Sequence, residues 1–270
     1  MRLLGCVLAG MLLSCAIPIA SAAEQMPESK TEQATSTVPF FDMTMLTDTD
    51  GDGLSDEWEQ KIFQTNPQKK DTDGDIFADG NEIRDFFDPL KKKAAKTFGD
   101  ADKDGLDDRL EWLFKTNPFD ADTDDDGFID GDEVTRGFDP RSSNPEPLKK
   151  RISITLSKQI MKQELDGIAL ASFRVSTGRP GMATPVGEFA IKEKHPRAWS
   201  RSAKLWMPYW MKFTDRGHGI HELPEWPGGK KEGMNHLGIA VSHGCVRLGI
   251  GPAKTMYEWA TVGTPIHIER

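Results

Sequence analysis

Ser242-His243-Gly244-Cys245-Val246-Arg247-Leu248 sets a thiol two residues from a histidine and two from an arginine. In an extended backbone His243, Cys245 and Arg247 share one face, because side chains alternate along a strand. Gly244 permits close approach of a substrate or an unusual backbone geometry. An isolated thiol is mostly protonated at neutral pH and needs a histidine partner or a positive field to attack a carbonyl. The stretch therefore reads as a cysteine nucleophile for acyl transfer, with an inert thiol as the alternative.

The rest of the chain isolates that thiol. Met1-Arg2 supplies a positive charge, Leu3 to Leu13 an apolar run, and Ala20-Ser21-Ala22 a small-residue cleavage site. Together they predict a signal peptide over 1–22 and export to the periplasm or cell envelope, with no transmembrane segment in the mature chain. An alternative reads Leu12-Leu13-Ser14-Cys15 as a lipoprotein signal anchored at Cys15. On the first reading Cys6 and Cys15 are lost with the signal, and Cys245 has no partner for an internal disulfide.

Charge divides the remainder. Residues 151–270 hold 17 Lys+Arg and 10 Asp+Glu, a balance of +7, whereas residues 1–150 carry −16. That asymmetry predicts two domains. Thr, Ser, Glu and Gln make 23–41 a flexible leader. Proline and small polar residues make 141–150 a linker between a module at 42–140 and a domain at 151–270. No nucleotide-binding glycine loop or nucleic-acid motif occurs, so the positive balance does not point to DNA.

Within the acidic half one twelve-residue frame recurs four times. Asp48, Asp50, Asp52, Asp56 and Glu59 occupy positions 1, 3, 5, 9 and 12. Asp71, Asp73, Asp75, Asp79 and Glu82 repeat it, followed by Asp100, Asp102, Asp104, Asp108 and Glu111, then Asp122, Asp124, Asp126, Asp130 and Glu133. Calcium takes six to eight hard oxygens, and alternating aspartates on a tight turn supply them. Thr65-Asn66-Pro67 and Phe87-Asp88-Pro89 return 51 residues on, so the module is a duplicated pair of loops. Ile76 replaces the glycine found at position 6 of the other frames, which predicts a weaker or misshapen second loop. The module is expected to fold around structural calcium, with no metal in catalysis.

The basic half reads as mainly β. Ile152 to Leu156 alternates, Asp166-Gly167 marks a hairpin, and Thr184 to Ile191 and Gly263 to Glu269 read as turn and strand. Only Pro252 to Ala260 reads as a helix, with proline near its start. Trp199, Trp206, Tyr209 and Trp210 are candidates for either a cleft wall or ordinary core.

Two resemblances sharpen these readings. The stretch Asp48-Thr49-Asp50-Gly51-Asp52-Gly53-Leu54-Ser55-Asp56 resembles the bacterial thrombospondin type 3 repeat. Ser242 to Arg247, with Ser176-Thr177-Gly178, Thr184-Pro185-x-Gly187-x-Phe189, Ile220-His221 and Gly263-Thr264-Pro265, resembles the L,D-transpeptidase (YkuD) family. That resemblance implies a β sandwich or barrel with a short helix, acting on peptidoglycan stem peptides without a catalytic cofactor. It implies Cys245 as nucleophile, attacking the third stem residue, releasing D-alanine and leaving a thioester that an amine resolves.

The resemblance also implies His221 as proton carrier, with His243 and Ser242 in support and the amides of Gly244 and Cys245 as oxyanion donors. Arg247 is assigned to holding either a loop or a substrate carboxylate. Spacing favours His243 as base and the resemblance favours His221, so both stand; His236 ranks behind them. His195, His218 and His267 are read as structural or exposed. Two features depart from the family: Glu222 replaces a common glycine, and 20 residues separate His221 from Ser242, making 222–241 a candidate substrate-covering loop. Hydrolysis of the same bonds, including release of a wall-attached protein, is one functional alternative. A calcium-dependent wall-binding adhesion protein is the other.

Overall fold

The Asp166-Gly167 turn has positive φ at both residues, 44° and 85°, the geometry that joins two strands with matching twist. In the computed structural model, which describes residues 47–270, it links β2 (Ile160–Leu165) to β3 (Ile168–Arg174). The expected signal peptide with Cys6 and Cys15, the leader and the first residues of the module lie outside the described residues.

Two sheets form the basic half, as its sequence implies. The first has the order β3-β2-β1-β9-β4, with β1 at Lys150–Thr155, β4 at Gly187–Ala190 and β9 at Pro265–Glu269. The second has the order β5-β6-β7-β8, with β5 at Glu193–Ser200, β6 at Leu205–Lys212, β7 at Gly219–Glu222 and β8 at Val246–Leu248. Ile152, Ile154, Ile266 and Ile268 from the first sheet meet Met211, Ile220, Val246 and Leu248 from the second, all buried. Helix α5 (Pro252–Trp259) closes this core with Ala253 and Met256. Here we number helices in chain order, α5 being the last.

Each loop of the acidic half runs into a short helix. These are α1 (Asp56–Trp58, continued by a π-helical turn Glu59–Phe63), α2 (Asp79–Arg84), α3 (Asp108–Phe114) and α4 (Asp130–Arg136). Loops interlock in pairs: Asp52 Oδ2 accepts from Gly80 N at 3.1 Å, and Asp104 Oδ2 accepts from Gly131 N at 2.8 Å. Both glycines are sterically required, since a Cβ there would lie 2.6 and 2.5 Å from the Asp52 and Asp104 carbonyl oxygens.

The module packs on the β3 side of the first sheet. Leu106, Phe114 and Val134 are buried against Leu165, with Ile168, Leu170 and Trp259 alongside. Arg109, fully buried, donates to the carbonyls of Ile83, Arg84 and Ala169. One side chain thus joins α2, α3 and β3. Among the described residues no helix is long and apolar enough to cross a membrane.

Candidate active site and carboxylate clusters

The loop before β8 is held by its own small residues. Ser242 is buried, donates N–H to the Thr177 carbonyl at 2.9 Å and accepts at its carbonyl from Arg179 N at 3.0 Å. Its Oγ donates to the Cys245 carbonyl at 2.5 Å and accepts from Gly244 N at 3.1 Å. Thr184 Oγ1 donates to the Gly244 carbonyl at 3.0 Å while accepting from Gly178 N at 2.9 Å. The Ser176-Thr177-Gly178 and Thr184 segments therefore form a cradle that fixes the Cys245 loop.

Cys245 is half-buried, and burial pushes its thiol above the ordinary cysteine value. The Gly219 amide and the Arg247 charge act in the opposite direction. Gly219 must be glycine, because a Cβ there would stand 2.6 Å from the Trp210 indole. Trp210 in turn lies 5.7 Å from the His221 ring, centroid to centroid.

His221 sits on β7 beside Arg247 in the parallel β7–β8 pairing and is 3% exposed. Its Nδ1 donates to the Glu222 carbonyl at 2.5 Å, which leaves Nε2 as the proton-accepting nitrogen. Burial, with a lesser contribution from the Arg247 charge, pushes its pKa down to about 4. Thiol and imidazole are thus both neutral at pH 7.

A cavity of about 340 Å³ collects Cys245, His221, His243, His218, Arg247 and Trp210. His243 stands exposed at this cavity, whereas His221 is enclosed. Arg247 Nη1 donates to both oxygens of Glu232 at 3.0 Å. This contact ties Arg247 to the 222–241 insert, to which Glu232 belongs, while Arg247 also lines the cavity. A second tie joins Lys231 to Glu222. His236 faces Glu232 at 3.1 Å and is not among the cavity residues.

The aromatic segment divides. Trp210 lines the cavity, Trp199 and Trp206 pack on each other at 4.9 Å, and Tyr209 packs on Tyr257. Sequence reasoning set His218 aside and missed Glu232 and Gly219. Their roles depend on which turns meet, and no local spacing signals that.

In the acidic half, Asp48/Asp50/Asp52, Asp71/Asp73/Asp75, Asp100/Asp102/Asp104 and Asp122/Asp124/Asp126 each bring carboxylate oxygens within 4.8 Å of one another. The position-12 glutamate of each loop, on the helical turn that follows, is buried beside these groups. Buried oxygens without a partner occur at positions 3 and 12 of every loop: Asp50 and Glu59, Asp73 and Glu82, Asp102 and Glu111, Asp124 and Glu133. Burial first, and neighbouring carboxylates second, raise Glu82 to about 7, Glu133 to about 8 and Glu111 to about 10. Glu59 rises to about 7, by burial foremost, against a hydrogen bond from Thr65. Four orphaned hard-oxygen sets of this kind fit a divalent cation with oxygen preference.

Position 9 is held from within its own loop. Asp56 accepts from Thr49 N and Oγ1, Asp79 from Thr72 N and Oγ1, and Asp130 from Thr123 N and Oγ1. Asp108 accepts from Ala101 N at 3.0 Å. These aspartates pin the start of the loop to the helix that ends it, a role the spacing alone cannot distinguish from ligation. Nor is the second loop misshapen: Ile76 N donates to Asp71 Oδ2 at 2.8 Å, as Gly53, Gly105 and Gly127 do to Asp48, Asp100 and Asp122.

Residues 149–268 match the L,D-transpeptidase catalytic domain family, and residues 48–70 match the bacterial TSP3 repeat. Both resemblances read from the sequence are borne out; loops two to four lie beyond or at the end of the repeat match. A Bacillus licheniformis chain named for L,D-transpeptidase (YkuD) is 25% identical over 123 residues, 44% of this chain and 67% of that one. A Mycobacterium tuberculosis chain named L,D-transpeptidase 3 is 28% identical, covering 38% of this chain and 39% of its own length. Among solved structures, an L,D-transpeptidase from Stackebrandtia nassauensis is 28% identical with a TM-score of 0.39, covering 45% of this chain and 56% of that one. One from Mycobacterium smegmatis is 23% identical with a TM-score of 0.41, covering 46% and 60%. The chain spans about three fifths or less of these solved chains.

Proposed function

We propose that this chain is an exported peptidoglycan L,D-transpeptidase that works through a Cys245 thioester, carrying an N-terminal module ordered by calcium. The observation that carries the enzyme reading is the pairing of Cys245 with His221 in one cavity, with His221 Nδ1 committed to the Glu222 carbonyl and Nε2 left as acceptor. Export to the periplasm or envelope rests on the signal-like segment at 1–22.

In this mechanism the donor tetrapeptide places the carbonyl of its third residue against Cys245. His221 Nε2 takes the thiol proton as the C–S bond forms and the carbonyl pair moves to oxygen. When that pair returns, the C–N bond to the terminal D-alanine breaks, and the departing amine takes the proton from His221. An acceptor amine then attacks the thioester, His221 removes its proton, and the thiol is restored as the new amide forms. Ser242 holds the loop, and Arg247 with Glu232 holds the insert over the cavity. Asp50, Glu59 and their equivalents would hold calcium, which neutralises the crowded carboxylates and lets each loop close.

The test is incubation with a disaccharide-tetrapeptide in calcium, followed by mass spectrometry, with Cys245→Ala alongside. Cross-linked dimer short of one D-alanine is expected from the parent chain and none from the variant, a loss of at least about 10⁴-fold. Tripeptide without dimer would replace transfer by hydrolysis. Unchanged tetrapeptide would remove the enzyme reading and leave the wall-binding one.

A further inference from the structure

The amide of Gly244 is the nearest sequence candidate for an oxyanion donor, yet it is engaged by Ser242 Oγ at 3.1 Å. Stabilising the charge that develops on a carbonyl oxygen is commonly the largest catalytic contribution, and it needs preorganised donors. The Cys245 amide is one candidate. A second donor is sought among the groups around the cavity.

His218 lies on the turn between β6 and β7 and reaches the same cavity as Cys245. The turn is fixed by Phe213 N to the His218 carbonyl at 3.0 Å and Gly217 N to the Thr214 carbonyl at 3.1 Å. Thr214 Oγ1 accepts from the His218 main-chain N–H at 3.0 Å and meets Nδ1 of its ring at 2.9 Å. The hydroxyl has both its proton and a second lone pair to offer Nδ1; where it gives the proton, the ring hydrogen resides on Nε2.

That edge of the ring lies on the nucleophile loop. A Cβ added at Gly244 would stand 2.8 Å from Cδ2 and 2.9 Å from Nε2 of His218. Glycine, at φ +106°, is what lets the imidazole approach. Burial and the neighbouring Arg216 charge hold the His218 pKa below its ordinary value, so the ring stays neutral at pH 7. His221 has its bare nitrogen at Nε2, whereas His218, with Nδ1 accepting from Thr214, carries an N–H there.

We propose that His218 donates its Nε2–H to the oxyanion formed when the Cys245 thiol attacks a carbonyl. As the C–S bond forms, the carbonyl pair moves onto oxygen and is held there by the His218 hydrogen bond without proton transfer. The pair returns when the leaving group departs. The inference rests on the reading of Cys245 as an acyl-accepting nucleophile, but not on the peptidoglycan substrate.

The calcium-loaded full chain is treated with two probes of the same thiol. p-Nitrophenyl acetate acetylates Cys245 through a charged tetrahedral intermediate, releasing p-nitrophenolate. Iodoacetamide alkylates it at a saturated carbon, where no oxyanion arises. His218→Ala is expected to lower acetylation about 100-fold while leaving alkylation within about twofold. His218→Gln, which keeps an amide donor, restores part of the loss, and Thr214→Val lowers the acetylation-to-alkylation ratio less than His218→Ala. An unchanged ratio in these variants, an equal fall in both reactions, or nitrophenolate release by the parent chain that does not need Cys245 would overturn the proposal. Intact Cys245-dependent acetylation without tetrapeptide turnover strikes the peptidoglycan reading and leaves the role of His218 standing.

Discussion

The two halves of the molecule bury polar groups in opposite ways. In the β domain Ser176, Thr177, Thr184, Gln159 and Ser242 are buried, and each has its partners within the chain. In the acidic module Glu59, Glu82, Glu111 and Glu133 are buried with oxygens that no protein group reaches. The module's main apolar cluster is also small, centred on Leu54, Trp58, Phe63, Ile83 and Trp112. One half meets most of its buried polar groups with its own hydrogen bonds, Arg247 Nε and Trp259 Nε1 being exceptions, and the other needs a ligand to offset desolvation and repulsion among its carboxylates.

Chelation tests that contrast most severely. Each site filled at a hundredfold excess over its Kd contributes about 2.7 kcal/mol, so emptying several lowers the module's stability by more than a typical small domain can lose. Adding a chelator is expected to drop the thermal transition followed by Trp58 and Trp112 by tens of degrees, with the transition of the β domain shifting far less. A module transition indifferent to both chelator and calcium would break the comparison.

Next in size is the joint between the halves. Arg109 has its pKa lowered to about 10 by burial, so it stays charged at pH 7 as it donates to Ile83, Arg84 and Ala169. Its guanidinium also lies 3.8 Å over the Phe86 ring. Arg109→Met removes the guanidinium from all three carbonyls and leaves Ile83 with the Phe86 N–H, a loss of about 3 to 4 kcal/mol. In calcium, calorimetry is expected to resolve two transitions further apart than in the parent chain. An unaltered thermogram would mean the halves are not coupled through this side chain.

Much of this arrangement was legible before the structure, and the gaps have physical reasons. The Asp166-Gly167 turn, the Pro252 helix start and the cysteine stretch are local signals. The β5–β6 hairpin gives a weak local signal, since Pro196 and Pro208 interrupt it and prolines are uncommon within strands. Pro196 lies on the edge strand, and Pro208 faces β5 alone, since β7 pairs with β6 only at Met211 and Lys212; a missing N–H is tolerated in such places. The position-9 aspartates carry hydrogen bonds within their loops that spacing alone does not reveal. His218 and Glu232 were invisible because their turns meet the Cys245 cavity and Arg247 only in the folded chain.

A smaller effect separates the halves by pH. His221 has a folded pKa of about 4 against an ordinary value of 6.5, so the folded chain binds fewer protons there than the unfolded chain. Its contribution is complete above pH 6.5 and is lost as pH falls through 6.5 towards 4, amounting to about 3 kcal/mol. Urea unfolding followed by Trp210 fluorescence, next to the His221 ring, should show that slope in the parent chain and a flatter one in His221→Asn. Equal slopes would mean that His221 titrates alike in the folded and unfolded chains.

The smallest expected effect lies within the module, where one loop differs from three. Ile76 is held at φ +82°, beside +99°, +97° and +94° for Gly53, Gly105 and Gly127. A β-branched residue there costs about 1 to 2 kcal/mol, and the side chain is 89% exposed, so little packing compensates. Glycine at this position regains the strain but adds about 0.4 to 1 kcal/mol of unfolded-chain entropy. Ile76→Gly should therefore stabilise the calcium-loaded module by about 0.5 to 1 kcal/mol, and Gly127→Ile should destabilise it by a similar amount. Because Ile76 N already makes the same bond to Asp71 as its glycine counterparts make to theirs, the gain appears as tighter calcium binding without a new contact. Calorimetric titration that finds the second loop unchanged in Ile76→Gly, with Gly127→Ile weakened, would place the strain at the fourth loop alone.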